Sequence, residues 1–514
     1  MMSQISVNME KMAKYVNTSL PGFILFFGAM GHVVSFYFHF FTVAFIMLTI
    51  LNFFYRHVQR SHTLLSNYGI LALARYMTES IGPELRQYLF ASDIEERPFS
   101  RVDRAEVYRK AKNVDSSSSF GSQKEFDQEE VKIRHSMFPT HKKQIKPFQV
   151  IFGEERGLSS QYTLQSPTMI SAMSFGALGH KAVRALSRGA KKAGIPMNTG
   201  EGGYPKYHLM EGADLIFQMG TAKFGVRTRD GHLDEKRLAN VASQDSVKMI
   251  EVKMSQGAKP GKGGLLPKEK ISEEIAELRG VHMGRDVVSP PCHVECHDVN
   301  STVKFIARIQ EITQLPVGMK MCLGRELQFY QLVSEMKRQN VFPDFITIDG
   351  SEGGTGAAPK AFMDDLGIPL YKALQIINEI MTTLKVRDKL KICASGKLIN
   401  AGKQITAMSL GADATYSARG FMMAVGCIQA LQCNANTCPV GITTHEPHLQ
   451  AGFDIEVKAN RVANYARNIY KDHLEIASAL GKFDMNSYGL DDVDLGHHIF
   501  NSNLLLKGVQ QNAI

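Results

Sequence analysis

The sequence has 514 residues, of which 44% are hydrophobic and 21% charged, with a formal net charge of +9. This length can bury a large core, and one large domain with appendages is more natural than several small domains. The positive charge is spread along the chain, which does not indicate a nucleic-acid surface. Seven cysteines without paired spacings argue against a secreted disulfide scaffold and favour a reducing compartment.

The first predicted element is a membrane anchor, because positions 20–55 contain no Lys, Arg, Asp or Glu. One membrane span needs about 20 apolar residues, so this run is long for one helix and slightly short for two. A helical hairpin that turns near Gly31 and His32 and a single span over residues 33–54 both remain open. Basic residues flank both ends of the run, which favours two cytoplasmic ends. We therefore predict a membrane anchor within residues 1–60 and a main domain that faces the cytoplasm.

The next segment alternates apolar and charged residues at helical spacing over positions 62–112, which predicts two or three helices. The serine-rich stretch DSSSSFGSQKEFDQEE at 115–130 then predicts a loop or linker. We assign residues 61–150 to a helical leader and linker, residues 151–480 to the main domain and residues 481–514 to a C-terminal tail.

The main domain is predicted from its last units. The stretch KICASGKLINAGKQITAMSLGADATYSARGFM has the pattern strand, glycine turn, helix, strand, glycine turn. This pattern is typical of the end of a (β/α)8 barrel, where the loops after strands seven and eight hold a phosphate group. We therefore predict an α/β fold, a TIM barrel preceded by the transmembrane segment and helical leader, with Gly396, Ala418 and Arg419 at the phosphate.

Three cysteines follow directly in the loop at 426–441, GCIQALQCNANTCPVG. Cys427, Cys433 and Cys438 have the spacing C-x5-C-x4-C and are followed by Pro439. Three thiolates are one too few for a four-thiolate iron-sulfur cluster but enough for a [3Fe-4S] cluster. The spacing alone leaves open an equal alternative, in which three free cysteines are simply buried as small apolar side chains.

This run resembles the FMN-binding synthase domain of the glutamate synthase large subunit, and further motifs of that family occur in the family's order. They are SAMSFGALG at 171–179, NTGEGG at 198–203, KMSQGAKPGKGGLLP at 253–267, VSPP at 288–291 and DGSEGGTGAAP at 349–359. Several matched blocks are far more specific than one short motif. The resemblance implies FMN as cofactor and a [3Fe-4S] cluster on the three cysteines, and the leader resembles that of membrane-anchored relatives.

For the flavin, the resemblance places Ala172, Met173 and Ser174 against the ring, where we expect the first barrel strand to end at residues 173–174. It also places Lys320 at flavin N1 and O2. A lysine in the otherwise apolar strand LPVGMKMCL is costly unless it meets an anion, so Lys320 stands out from the residues alone. In the glycine-rich loop after the next strand, the backbone amides of Gly353 and Gly354 are candidates for the flavin or its phosphate.

For the substrate, the resemblance places Glu201 near the substrate or ammonia and makes Lys253, Glu201 and Lys320 the catalytic candidates. Gln256 and Lys259 would bind substrate over the barrel mouth, since a dicarboxylate such as 2-oxoglutarate needs cationic partners. A solvated basic loop is the alternative. This chain has Lys262 where the family commonly has an acidic residue, which makes the loop more basic.

A second cluster, Cys292, His293, Cys296 and His297, has a spacing that suggests metal ligands. Zinc sites of this type normally pair such a cluster with a second one. We do not predict a metal there.

The resemblance implies an FMN-dependent oxidoreductase that aminates 2-oxoglutarate, through 2-iminoglutarate, to glutamate. Electrons would come from a reductase or a ferredoxin through the [3Fe-4S] cluster. No cysteine precedes Cys292, so we expect no glutaminase domain and ammonia that is free or supplied by a glutaminase partner. Two alternatives stay open: a membrane-bound FMN and iron-sulfur oxidoreductase for another 2-oxo or 2-hydroxy acid, and a non-catalytic FMN-binding electron-transfer module.

Overall fold

The computed structural model of the chain describes residues 2–114, 117, 119–123 and 131–496, with side chains from residue 11 onward. Most of the predicted serine-rich loop at 115–130, and the tail after residue 496, therefore lie outside the described residues. The chain forms two compact units, Met1–Arg101 and Val102–Ile514.

The first unit is helical. Asn52 is buried and ties three of its segments together, because its amide donates to Asn17 Oδ1 at 2.7 Å and its Oδ1 accepts from the Ile70 amide at 3.0 Å. The helices are α1 (Met2–Val33), α2 (Phe38–Phe53, continued by a π-helical turn Phe54–Val58), α3 (Thr63–Tyr68) and α4 (Leu71–Leu85, continued by Arg86–Phe90).

Two helical segments of this unit, Lys11–Val33 and Phe38–Val58, are long and apolar enough to cross a membrane by length and composition. Only 6% of the most apolar window of each is buried, so their Phe, Leu and Ile side chains mostly face outward. The apolar run therefore forms two helices joined by a turn over residues 34–37, and not one helix over residues 33–54.

The second unit is a closed barrel of eight parallel strands in the order β5-β6-β7-β8-β1-β2-β3-β4, in which β4 pairs with β5 to close the ring. This confirms the predicted TIM barrel. The strands are β1 (Thr168–Ile170), β2 (Met197–Asn198), β3 (Leu215–Met219), β4 (Val247–Lys253), β5 (Val317–Met321), β6 (Phe345–Asp349), β7 (Lys391–Ser395) and β8 (Ala414–Ser417).

The first barrel strand ends earlier than expected. We expected it to reach residues 173–174, but β1 ends at Ile170. Beyond it, the Ser171 amide still donates to the Ser417 carbonyl at 3.1 Å, and the Met173 amide makes a longer bond to the Asn198 carbonyl of β2 at 3.4 Å. The chain then leaves the sheet, so residues 172–174 belong to the loop at the barrel mouth.

Helices surround the barrel and connect its strands. The longest, α17, packs closely on α6, since a Cβ added at Gly189 would lie 2.4 Å from Val462 Cβ. The helices of this part are α5 (Arg101–Lys112), α6 (His180–Ala193), α7 (Lys206–Leu209), α8 (Glu235–Ala242), α9 (Glu273–Arg279), α10 (Val299–Thr313), α11 (Glu326–Gln339), α12 (Lys360–Asp365), α13 (Leu370–Thr383), α14 (Ala401–Ser409), α15 (Arg419–Ala424), α16 (Pro447–Gln450) and α17 (Ile455–Ala479).

The amino-terminal end of the barrel is closed by apolar packing. An antiparallel hairpin, Val150–Phe152 with Tyr162–Leu164, precedes β1. Its Phe152 ring meets the ring of Phe345, the first residue of β6, with 5.3 Å between ring centroids. The carboxyl ends of the strands are therefore the open end of the barrel, the end at which TIM-barrel enzymes place their chemistry. Two further two-stranded sheets pair Lys132–Ile133 with Val493–Asp494 and Leu265–Leu266 with Val287–Val288.

Candidate active site

Two buried charged groups face each other at the carboxyl ends of β5 and β6. Lys320 is 6% exposed, and its Nζ lies 3.5 Å from Asp349 Oδ2. The same Asp349 oxygen accepts a hydrogen bond from the Gly257 amide at 2.9 Å. Burial acts to lower the pKa of Lys320, but Asp349 and Glu251 hold it above its usual range. The predicted flavin lysine is therefore a charged group fixed at the barrel mouth.

A second ion pair lies at the end of β4. Lys253 Nζ lies 2.7 Å from Glu201 Oε1 and also donates to the Gln256 side-chain oxygen. Burial acts to raise the pKa of Glu201, but Lys253, Lys259 and Arg279 hold it below its usual range. The structure thus brings together the predicted catalytic pair and the predicted substrate ligand Gln256.

Lys259 completes this group from the loop after β4. It is buried, and its Nζ donates to the Ala357 carbonyl at 3.0 Å. Burial and the neighbouring Lys253 lower the pKa of Lys259 to about 8. The loop is therefore folded over the mouth, with its lysine directed inward, and is not a solvated basic loop at this position.

The predicted flavin-ring residues lie beside the Glu201 loop. A Cβ added at Gly200, which has a φ of +66°, would lie 2.8 Å from the Ser174 amide nitrogen, and one at Gly202 would lie 2.6 Å from Ser174 Cβ. The Met173 carbonyl meets His208 Nε2 at 3.0 Å. Ala172, which precedes Met173, is partly exposed. Glycine at both positions lets the two loops meet.

The loops after β6, β7 and β8 also converge. Arg419 Nη2 donates to the Glu352 carbonyl at 3.0 Å, while Gly354 packs so closely on the guanidinium that an added Cβ would lie 2.9 Å from Nη1. Burial lowers the pKa of Arg419 to about 10, against the effect of Asp349 and Glu352. A Cβ at Gly396 would lie 3.1 Å from Glu352 Oε1. The remaining predicted residues of this group are Gly353, whose amide bonds the Gly350 carbonyl at 2.9 Å, and Ala418, which directly precedes α15.

Two of these loops are in direct backbone contact. A Cβ added at Gly257, in the loop after β4, would lie 1.8 Å from the Gly350 carbonyl oxygen in the loop after β6. No side chain fits in this space, so glycine is required at position 257.

The cysteine loop follows α15, and its thiols have different surroundings. Burial raises the pKa of Cys433, and the Thr443 hydroxyl opposes this. Burial also acts on Cys438, but Thr443 and backbone amides that follow it hold the pKa of Cys438 below its usual range. The Thr443 hydroxyl is buried and makes no hydrogen bond to either sulfur atom, and Cys438 has surroundings that favour the thiolate.

Cys427, the first cysteine of the loop, is partly exposed, whereas Cys438 is buried. Burial raises the pKa of Cys427 to about 11, and the nearby Cys433 and Cys438 act in the same direction. Its Sγ accepts a hydrogen bond from the Gln429 amide at 3.5 Å. The three thiols are thus near enough to interact electrostatically.

Sequence reasoning missed a buried carboxylate inside the barrel. Glu251 in β4 accepts hydrogen bonds from Asn198 at 2.7 Å, Gln218 at 2.6 Å and Thr347 at 2.6 Å, each from a different strand. It is fully buried and close enough to Lys320 to raise the pKa of that lysine. An acidic residue in the apolar run VKMIEVK was the signal that could have found it, by the argument that singled out Lys320.

The cluster at 292–297 supports the mouth in another way. His293 is buried, and its Nε2 meets the Lys253 carbonyl at 3.0 Å. Burial raises the pKa of Cys296 to about 12, which keeps this thiol protonated. Among the described residues, no three His, Cys, Asp or Glu side chains form a group that could hold a metal ion. His293 therefore positions the backbone that carries Lys253.

Comparison with known proteins matches most of the chain to one family. Residues 103–483 match the family model described as the conserved region in glutamate synthase. A glutamate synthase large subunit-like protein of Bacillus subtilis, YerD, is 37% identical over 461 residues, which cover 82% of this chain and 88% of YerD.

Two other relatives are longer than the matched region. The archaeal-type glutamate synthase [NADPH] of Thermotoga neapolitana is 35% identical over 63% of this chain and 61% of its own length. The archaeal glutamate synthase [NADPH] of Archaeoglobus fulgidus is 32% identical over 62% of this chain and 59% of its own length. The match thus spans about three fifths of each of these synthases and nearly all of YerD. The chain belongs to the glutamate synthase family, whose members are oxidoreductases that act on CH–NH2 donors.

Proposed function

We propose that this protein catalyses the FMN-dependent reductive amination of 2-oxoglutarate, through 2-iminoglutarate, to glutamate. The observation that carries the proposal is the convergence of Lys253, Lys259, Lys320 and Arg419 with the carboxylate of Glu201 at the mouth of one barrel. Lys253 and Lys320 are already paired with Glu201 and Asp349, whereas the Nζ of Lys259 meets a backbone carbonyl. A flavin phosphate and a dicarboxylate are anions that this group of cations would stabilise further.

The residues present fit FMN. Arg419 offers hydrogen-bond donors where the last strands end, and Gly354 leaves no Cβ between the loop and the guanidinium. Lys320 offers a fixed positive charge deeper in the mouth. When bound, FMN would supply hydride transfer, which no side chain can perform.

The chain's own residues would bind and orient the substrate. Lys253 and Lys259 would donate charge-assisted hydrogen bonds to the carboxylates of 2-oxoglutarate, with Gln256 as a neutral ligand. Lys253 would then exchange part of its contact with Glu201 for the substrate. Glu201, ionised in this arrangement, would stabilise the ammonium ion or receive a proton as the imine forms. Lys320 would stabilise negative charge that develops beside it.

We propose that the three cysteines hold a [3Fe-4S] cluster that passes electrons to the barrel mouth from a reductase or ferredoxin. A cluster distributes three thiolates over three iron atoms, so the thiols need not meet at one point as they would around a single ion. The surroundings of Cys438, which favour its thiolate form, support this assignment.

The test is to purify the full-length protein, measure released flavin, iron and acid-labile sulfide, and assay glutamate formation from 2-oxoglutarate and ammonium with chemically reduced enzyme. We expect glutamate formation that requires both substrates and that is lost in Lys253→Met. Lys248→Met, at the other end of the same strand, is the matched control. Flavin reoxidation by another 2-oxo acid without ammonium would contradict the proposed reaction, and a flavin-bound protein without turnover would favour an electron-transfer module.

We also propose that the helices of residues 1–60 anchor the protein in a membrane with the barrel in the cytoplasm. Core helices of soluble proteins are mostly buried, whereas the two candidate spans here present their apolar side chains outward. After carbonate extraction, the full-length protein should stay in the membrane pellet. Protease added to intact spheroplasts should not cut the barrel. Release by carbonate would contradict the anchor.

A further inference from the structure

Helix α5, far upstream in sequence, lies against the first turn of the cysteine loop. The Tyr108 hydroxyl donates a hydrogen bond to the Cys427 carbonyl at 2.6 Å, and Arg104 Nη1 reaches the Ile428 carbonyl at 3.4 Å. Arg104 is only 6% exposed. Two residues of one helix thus contact consecutive carbonyls at the first cysteine.

The helix is firmly fixed on the barrel. Lys110 is buried and pairs with Glu106 at 2.8 Å and with Asp472 of α17 at 2.9 Å. The Asn468 side chain donates to the Lys110 carbonyl at 2.9 Å. Val107, on the adjacent face, is completely buried. The position of Arg104 and Tyr108 is therefore set by packing as well as by their own contacts with the loop.

A second buried cation lies on the other side of the loop. Lys270 is 2% exposed, and its Nζ donates to the carbonyls of Ala177 and Cys433, the latter at 3.1 Å. Positive charges from two distant segments thus flank the cysteines.

We propose that Arg104 and Tyr108 are positioning residues of the cluster site: Tyr108 fixes the backbone of Cys427, and the charge of Arg104 raises the reduction potential of the cluster. This inference rests on the proposed [3Fe-4S] cluster. One electron from the donor protein adds one negative charge to the cluster. A buried guanidinium beside it stabilises the reduced form more than the oxidised form.

The test is a potentiometric titration of the full-length protein followed by electron paramagnetic resonance, together with iron and sulfide content. Arg104→Gln should shift the midpoint potential downward, while Arg104→Lys, which keeps the charge, should shift it less. Arg109→Gln, which removes an exposed charge from the same helix, should leave it unchanged. Tyr108→Phe should lower iron occupancy and leave the potential of the retained clusters close to that of the unmodified protein.

A role in folding alone would change iron occupancy without changing the potential. Full iron content and an unshifted potential in Arg104→Gln would therefore overturn the inference. If Arg104→Gln loses its iron, the iron content of the two Arg104 variants is compared instead. Iron retained in Arg104→Lys would support a requirement for positive charge. Equal iron loss in both variants would overturn the inference. Absence of a cluster signal from the unmodified protein would instead refute the proposed cluster itself.

Discussion

Lys320 and Asp349 lie 3.5 Å apart at the carboxyl ends of two adjacent parallel strands, and both are buried. Asp349 is held in turn by the Gly257 amide. This pair connects strand ends to the loop that covers the mouth, so a change at Lys320 affects both charge balance and loop position.

Lys320→Met should reduce kcat by about 100-fold or more, the usual effect of removing one preorganised group that stabilises developing charge. It should also reduce flavin content, because Asp349 would remain buried beside the site without its cation. Steady-state turnover and released flavin measure both effects. Lys304→Met, an exposed position on α10, is the control for charge removal. Unchanged turnover in Lys320→Met would contradict the assigned role.

Deprotonation of Lys259 should make kcat/KM fall at alkaline pH, which gives the pH profile a descending limb. Its pKa is lowered to about 8 by burial and by Lys253, and a lysine is charged below its pKa and neutral above it. Substrate capture should therefore weaken as the pH rises above 8, and kcat/KM for 2-oxoglutarate should fall. In Lys259→Arg, which stays charged, this limb should move to higher pH. The same pH profile in both proteins would assign the limb to another group.

Gly257→Ala should lower both stability and turnover by separating two loops at the barrel mouth. The new methyl group would lie 1.8 Å from the Gly350 carbonyl oxygen, so the two loops would have to separate. Overpacking of this kind costs about 1–3 kcal/mol, and the Asp349 contact with the position-257 amide should be lost as well. Gly324→Ala, where an added Cβ meets nothing within 4 Å, should leave activity unchanged. Thermal denaturation and turnover distinguish the two variants, and equal behaviour would refute the close contact.

Buried neutral histidines should make the barrel sensitive to acid. Burial lowers the pKa of His208, His293 and His445 to about 4 and that of His473 to about 3. In the unfolded chain these histidines bind protons once the pH falls below about 6.5, the ordinary histidine pKa. In the folded chain they stay neutral until the pH approaches their lowered pKa. Their contribution to stability is therefore complete above pH 6.5 and is lost as the pH falls toward 4, by roughly 1.4 kcal/mol per pH unit for each.

His473→Gln tests this acid effect at one position. The melting temperature of the variant should fall less between pH 7 and pH 5 than that of the unmodified protein, since one proton-binding difference is removed. The melting temperature of His448→Gln, a change at an exposed position, should fall as much as that of the unmodified protein. An identical fall in all three would place the acid sensitivity elsewhere.

The sequence identified residues whose local context is unusual. Lys320 stood out as a charge in an apolar strand, and the structure places it in the mouth. Glu251 carries the same signal, but its three partners come from three other strands, and no single segment shows that pairing. The role proposed for Arg104 was not predictable either, because its contact lies 324 positions away in the chain.

The residues that were predicted and those that were missed differ in the range of their interactions. The glycine-rich loops after the strands reveal the barrel, since turn chemistry is local. The end of β1 was misplaced because the backbone bonds that end a short strand depend on partners in its two neighbours, Ser417 and Asn198. The spacing of Cys427, Cys433 and Cys438 could not separate buried thiols from a cluster, because the surroundings of the thiols come partly from α5, which lies far away in the chain.

The contact between Gly257 and Gly350 also has a consequence for how reactants enter and leave. The backbones of the loops after β4 and β6 leave no room for a side chain between them, so we expect no passage for ligands at this point. We expect the substrate and product of the proposed reaction to exchange with solvent at the rest of the rim, where the Glu201 loop carries left-handed glycines at 200 and 203.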